Sequence, residues 1–311
     1  MSRDRCISAG RSTIETLIID ICSACGAVLK DPNGARIKGK CSCLSKAKTK
    51  MGLPHHFTIY SDLHDDARAS NREKMLEHME RRAAMDRSHF LLIGDAGNWV
   101  VSSDTKRFMP SVARDELNGI DDYVDHHIDE QVEMYKKFPF RFVGLGNHCY
   151  QVLKRHHTNP MMRLARKLRV PYAGYSGMAR FRFHDGNGRG PKCTFTLLYH
   201  HGAWGGRVMK GYGGARDFAK HFEGWDIFAY GHNHHCNVHH EAKVRMTISG
   251  NMETRNAFFV NTGTFYDGVT QKGEIDYAEV KGYGPVALAA PLVTAIPTKD
   301  GVKISVTAGE V

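Results

Sequence analysis

Residues 225–240, WDIFAYGHNHHCNVHH, decide how the rest of the chain is read. An apolar run ends at Gly231 and is followed by His232, His234 and His235, then Cys236, His239 and His240. A short apolar run closed by a turn residue reads as a buried strand. The histidines therefore stand where a strand leaves its sheet. They are either a histidine-rich surface, a self-contained metal cluster, or the last part of a site whose other parts lie upstream.

The upstream sequence favours the third reading. HFTIYSDLHDD ends an apolar run in Asp62 and His64, and HFLLIGDAGN ends one in Asp95. FRFVGLGNH ends in Asn147 and His148, and CTFTLLYHHG in His200 and His201. In open α/β sheets the carboxyl ends of strands gather at one rim, so ligands far apart in sequence meet there. The two-residue period of a strand lets only one of His200 and His201 face that rim. Between these runs lie helical patterns at 68–85, 115–138, 160–170 and 215–222, and the chain closes on strand-like segments from Lys243 onward. This order predicts an α/β fold.

The series D-x-H, G-D, G-N-H, H and G-H-x-H, each closing an apolar run, resembles the calcineurin-like metallophosphoesterase superfamily from residue 55 to about 265, NTGTF (Asn261 to Phe265) included. The resemblance implies a four-layer β-sandwich flanked by helices over residues 53–311. It implies two divalent ions, manganese, iron or zinc, bridged by Asp95. Asp62, His64 and His234 would complete one ion, and Asn147, His232 and one of the paired histidines, His201 being favoured, the other. A hydroxide held between the ions would attack phosphorus, and His148 would protonate the leaving oxygen. Two positions depart from the usual pattern. Cys149 follows G-N-H where an acid is common, and Asn98 stands three residues after Asp95 where a carboxylate often orients the histidine. Asp65 or Asp66 could contribute to the site as well, but both read rather as acids at the start of the next helix.

Composition bounds the rest. The 311 residues are 41% hydrophobic with a net charge of +10, enough for a large core. The most apolar N-terminal window is broken by Glu15 and Asp20, so a cytoplasmic protein without a signal peptide or membrane span is expected. Residues 1–50 hold ten Lys or Arg and four Asp or Glu. Cys22 and Cys25, then Cys41 and Cys43 after fifteen intervening residues, resemble the two knuckles of a zinc ribbon, which predicts a basic module over 1–52 holding one structural zinc. Its charge, together with Arg207, Lys210 and Arg216 in and beside the glycine-rich loop, points to nucleic acid or a nucleotide as the phosphate-ester substrate. Two alternatives stand beside that reading. A phosphoprotein phosphatase is disfavoured by the lack of arginine beside GDAGN and GLGNHC. A nucleic-acid-binding or scaffold protein on the same fold would ordinarily have lost ligands, and none is missing here. A second zinc site at His235, Cys236, His239 and His240 is the weakest possibility.

Overall fold

The structure is a computed structural model and describes residues 15–30, 51–101, 104, 112–117, 119–185, 191–205, 211–246, 250–267 and 284–309. Among these, two mixed sheets and five α-helices give the expected mixed α/β fold. The first sheet runs β1 (Glu15–Cys22), β5 (Ser176–His184), β6 (Cys193–His200), β7 (Ile227–Tyr230), β9 (Met252–Thr262), β8 (Cys236–Met246). The second runs β11 (Gly301–Thr307), β10 (Leu292–Thr298), β2 (His55–Tyr60), β3 (Ser88–Leu92), β4 (Phe140–Val143).

One core lies between the sheets, where Ile59, Leu91 and Phe142 of the second meet Phe181, Leu197 and Ile227 of the first. Alternation along β5 sends Phe181 and Phe183 inward, while β2, β3 and β4 are buried on both faces and do not alternate. Against the outer face of the second sheet pack α1 (Arg72–Ala83), α2 (Tyr123–Tyr135), α3 (Asn147–His156) and α4 (Pro160–Leu168). Against the outer face of the first packs α5 (Tyr212–Ala219), through Ala215 and Ala219 on Phe228 and Trp225. Helix α1 starts where Asn71 accepts the Lys74 main-chain N–H, and it buries Met75, His78, Met79 and Arg82 at helical spacing.

Residues 15–30, expected within the N-terminal module, include a strand of the first sheet. Strand β1 pairs in parallel with β5 over its whole length, Glu15 opposite Gly177 through Cys22 opposite His184. Its Asp20 is buried and accepts both nitrogens of the Arg182 fork at 2.7 Å. These residues belong to the main sheet. Cys22 is buried at the end of β1 and Cys25 is exposed in the turn after it; Cys41 and Cys43 lie outside the described residues.

A chain of buried rings ties that turn to the second sheet. Arg141 Nε donates to His89 Nδ1 at 2.7 Å, His89 Nε2 lies 3.2 Å from His55 Nδ1, and His55 Nε2 lies 3.0 Å from the Ser23 carbonyl. With a guanidinium at one end and a carbonyl at the other, each ring carries one proton, on Nε2. Burial favours that neutral state, pushing His55 down to about 4 and His89 well below the ordinary histidine value, and likewise His78 down to about 3. The unfolded chain binds protons at these rings below about pH 6.5 and the folded chain does not. Stability is therefore expected to fall with decreasing pH between about 6.5 and 4, by up to about 1.4 kcal/mol per pH unit for each ring. Urea midpoints measured from pH 7 to pH 5 check this, and a constant midpoint would mean that the folded rings accept protons.

Candidate metal centre

Five strands of the two sheets deliver their carboxyl ends to one rim. Asp62 and His64 follow β2, Asp95 follows β3, Asn147 and His148 open α3 after β4, His201 follows β6, and His232 and His234 follow β7. Leaving the strands requires sharp turns. Asp62 (φ 51°), His64 (φ 47°), Asp95 (φ 44°), His232 (φ 74°) and His234 (φ 61°) all have left-handed backbone. This conformation costs a residue with a Cβ about 1–2 kcal/mol, and such strain concentrates at functional sites. Tight approach has a second requirement, the absence of a side chain. A Cβ on Gly146 would lie 2.1 Å from Asp95 Oδ1, and one on Gly231 would lie 2.4 Å from Ser61 Oγ.

The side chains meet in two groups. His64 Nε2 is 3.2 Å from His234 Nε2, and the two lie 3.8 and 3.7 Å from Asp62 Oδ1. His201 Nε2 lies 2.9 Å from the Asn147 side-chain amide, which is 2.7 Å from His232 Nδ1. Asp95 lies between the groups: its Oδ2 is 3.0 Å from His201 Nε2, and its Oδ1 accepts the His148 main-chain N–H at 3.0 Å at the start of α3. A carboxylate at a helix N-terminus meets unsatisfied N–H groups and the positive end of the dipole. Asp62, His64, Asp95 and His201 are all buried.

The donor set fits hard or borderline divalent cations. Burial holds the His64, His232 and His234 rings below the ordinary histidine range, in the neutral form that a metal requires. Burial alone would raise Asp95, yet the His201 and His148 rings beside it hold it well below the carboxylate range, and burial raises its neighbour Asp62. His64 and His234 point their Nε2 atoms at each other, and only one proton can lie between them; His64 Nδ1 is buried without a hydrogen-bond partner among the described residues. Among the described residues four sets have ligand atoms within 4.8 Å of one another and could hold a metal ion: Asp62–His64–His234, Asp62–Asp95–His201 and His64–Asp95–His148 at this rim, and also Asp65–Asp66–His127.

His148 stands beside His64 at 4.8 Å between ring centroids. Its Nδ1 is 3.2 Å from the main-chain carbonyl of Asn98, so this orienting contact does not depend on which side chain position 98 carries. Asp65 and Asp66 are not helix-start acids, because α1 begins at Arg72 behind its own cap. Both are buried. Asp65 accepts from His127 and Gln131 at 2.9 Å and from the Tyr135 hydroxyl at 2.6 Å, all on α2. His127 is pushed up to about 10, because Asp65 outweighs the opposing effect of burial.

Of the paired histidines, His201 lies in the cluster, whereas His200 packs on Trp204 and Phe218 at 4.8 Å. His239 stacks on Tyr212 at 4.3 Å and His240 lies near Phe258, on alternate faces of β8, so the weaker zinc reading has no geometry behind it. Arg207 and Lys210 lie outside the described residues, and Arg216 pairs with Glu241 at 2.6 Å. Three contributors lie outside the expected ligand set. Thr264 Oγ1 donates to the Asp62 carbonyl at 2.6 Å, Ser61 Oγ lies 3.4 Å from His201 Nδ1, and Cys149 Sγ donates to Asp95 Oδ1 at 3.6 Å. Thr264 sits inside NTGTF, the one signal that pointed toward it.

No protein-family model matches the chain, and no curated protein matches it. Among solved structures it is similar to a conserved uncharacterized protein, a predicted phosphoesterase, from Streptococcus pneumoniae TIGR4, at 10% identity and a TM-score of 0.31, covering 82% of this chain and 99% of that one. It is also similar to Chaetomium thermophilum Vps29, at 8% identity and a TM-score of 0.27, covering 82% of this chain and all of that one. Among the described residues no helix is long and apolar enough to cross a membrane.

Proposed function

We propose that the chain is a divalent-metal-dependent phosphoric ester hydrolase of the calcineurin-like metallophosphoesterase superfamily. The observation that carries the reading is the meeting of Asp62, His64, Asp95, Asn147, His201, His232 and His234, drawn from five strand ends, with His148 at their edge. Asp62, His64 and His234 would hold one divalent ion, Asn147, His201 and His232 a second, and Asp95 would touch both. Such ions supply Lewis-acid charge to a phosphoryl oxygen and a water acidic enough to attack at neutral pH. His148 faces the same space and would give a proton to the leaving oxygen. Nucleic acid or a nucleotide is the proposed substrate, on the strength of the basic N-terminal residues and of Arg207 and Lys210. One zinc at Cys22, Cys25, Cys41 and Cys43 belongs to the same proposal.

Hydrolysis of p-nitrophenyl phosphate, bis-p-nitrophenyl phosphate and single- and double-stranded nucleic acids, assayed with added Mn²⁺, tests the reading. Activity is expected on at least one of them, abolished by chelation, in a protein carrying three metal ions per chain. A Cys41→Ser, Cys43→Ser variant should carry two. A protein loaded with metal that cleaves none of these substrates would instead be a binding module.

A further inference from the structure

We propose that Asp66 positions and polarises His148 through the peptide group between Asn98 and Trp99, supplying from the β2 loop the negative charge that position 98 lacks. The proposal rests on the reading of His148 as proton donor. Asp66 is 1% exposed. Its Oδ2 accepts the Trp99 main-chain N–H at 2.8 Å and the Tyr123 hydroxyl, and its Oδ1 accepts the Asn98 main-chain N–H. The carbonyl of that same Asn98–Trp99 peptide faces His148 Nδ1 at 3.2 Å. One planar amide thus has a carboxylate at its N–H end and an imidazole at its oxygen end.

Two consequences follow from amide resonance. A carboxylate on the N–H draws electron density toward the oxygen and strengthens the bond that the oxygen accepts, by about 10–30% in a polarised chain. A carbonyl only accepts, so His148 must hold a proton on Nδ1, which leaves Nε2 as its atom for exchange with substrate. Asp66 also fixes the carbonyl's direction. Trp99 is fully buried with left-handed backbone (φ 52°), a conformation that the paired bonds from Asn98 and Trp99 to one carboxylate hold in place. Asp66 is itself anchored, since its carbonyl accepts the Arg114 main-chain N–H at 3.0 Å. The neighbouring Asp65 sends its bonds to His127, Gln131 and Tyr135 instead and serves as a control.

The variants are Asp66→Asn, Tyr123→Phe as a milder change to the same carboxylate, and Tyr135→Phe as the control acting on Asp65. Two readouts apply. The first is kcat on aryl phosphodiesters whose leaving phenols span a range of basicity, with Mn²⁺. The second is the His148 Nδ1–H resonance by NMR, in metal-free and zinc-loaded protein. Asp66→Asn should lower kcat by about 10–100-fold on the most basic leaving groups and less on p-nitrophenolate, with KM and metal content unchanged. In a His148→Ala background it should add no further loss. The His148 Nδ1–H signal should shift in Asp66→Asn, shift less in Tyr123→Phe and stay in place in Tyr135→Phe. An equal loss on every leaving group, an additive loss without His148, or an unmoved resonance overturns the proposal, and Tyr123→Phe carries the test if Asp66→Asn does not fold. Should the parent chain hydrolyse nothing, the proposed function fails, while the resonance still decides whether Asp66 governs His148.

Discussion

Asp95→Asn is expected to leave the fold intact and to reduce phosphodiester hydrolysis to background, a loss of more than about 10³-fold and several kcal/mol of transition-state stabilisation. The substitution keeps the size and shape of the side chain, so its steric cost beside Gly146 is small. It changes charge and donor pattern. The His148 main-chain N–H at 3.0 Å still needs an acceptor, so the amide oxygen takes the Oδ1 position and the amide NH₂ takes that of Oδ2. That NH₂ then faces His201 Nε2 at 3.0 Å and can donate to it, occupying the lone pair with which the ring would bind a metal. Both groups of ligands lose their common carboxylate. Metal content measured beside turnover gives the check: the active-site ions should fall below two per chain along with the rate. Full activity in Asp95→Asn would remove it from the centre of the site.

What could be read from the sequence, and what could not, follows the range of the interactions involved. The strand ends carrying Asp62, His64, Asp95, Asn147, His201, His232 and His234 were legible because each run of apolar residues stops at a turn within a few positions. Helix α3 was not. Its first residue follows Gly146, which offers no capping side chain, and its N–H groups are met by Asp95 from another strand's loop. Strand β1 reads locally as part of an N-terminal module because its partner in the sheet, β5, lies more than 150 residues away, and nothing local announces a parallel pairing. Asp66 resists a local reading for a related reason. An acid soon after a strand looks like a helix-start residue, but its bonds go to Asn98, Trp99 and Tyr123, none of them adjacent. In each case the local pattern placed the residue and a distant partner assigned its role.

His148→Ala is expected to keep both active-site ions and lower turnover by about 10²–10⁴-fold, the range for losing a positioned proton donor. The metal measurement matters as much as the rate, because two roles are open to this ring on geometry alone. His148 forms one of the four sets among the described residues that could hold a metal ion, with His64 and Asp95. If it were a ligand, truncation would remove an ion and the rate together. Its Nδ1 is engaged by the Asn98 carbonyl and its main-chain N–H by Asp95, which makes Nε2 the ring nitrogen through which it would act. His64 stands edge-on to it at 4.8 Å while pointing its own Nε2 at His234. The same anchoring would suit a metal ligand, so retention of both ions in His148→Ala separates the two roles, and only a proton donor matters more to poorer leaving groups. The loss in His148→Ala should therefore grow with the basicity of the leaving group, since p-nitrophenolate departs without a proton and an alkoxide does not. A variant that keeps its metals and its full rate on a basic leaving group would retire His148 as the donor.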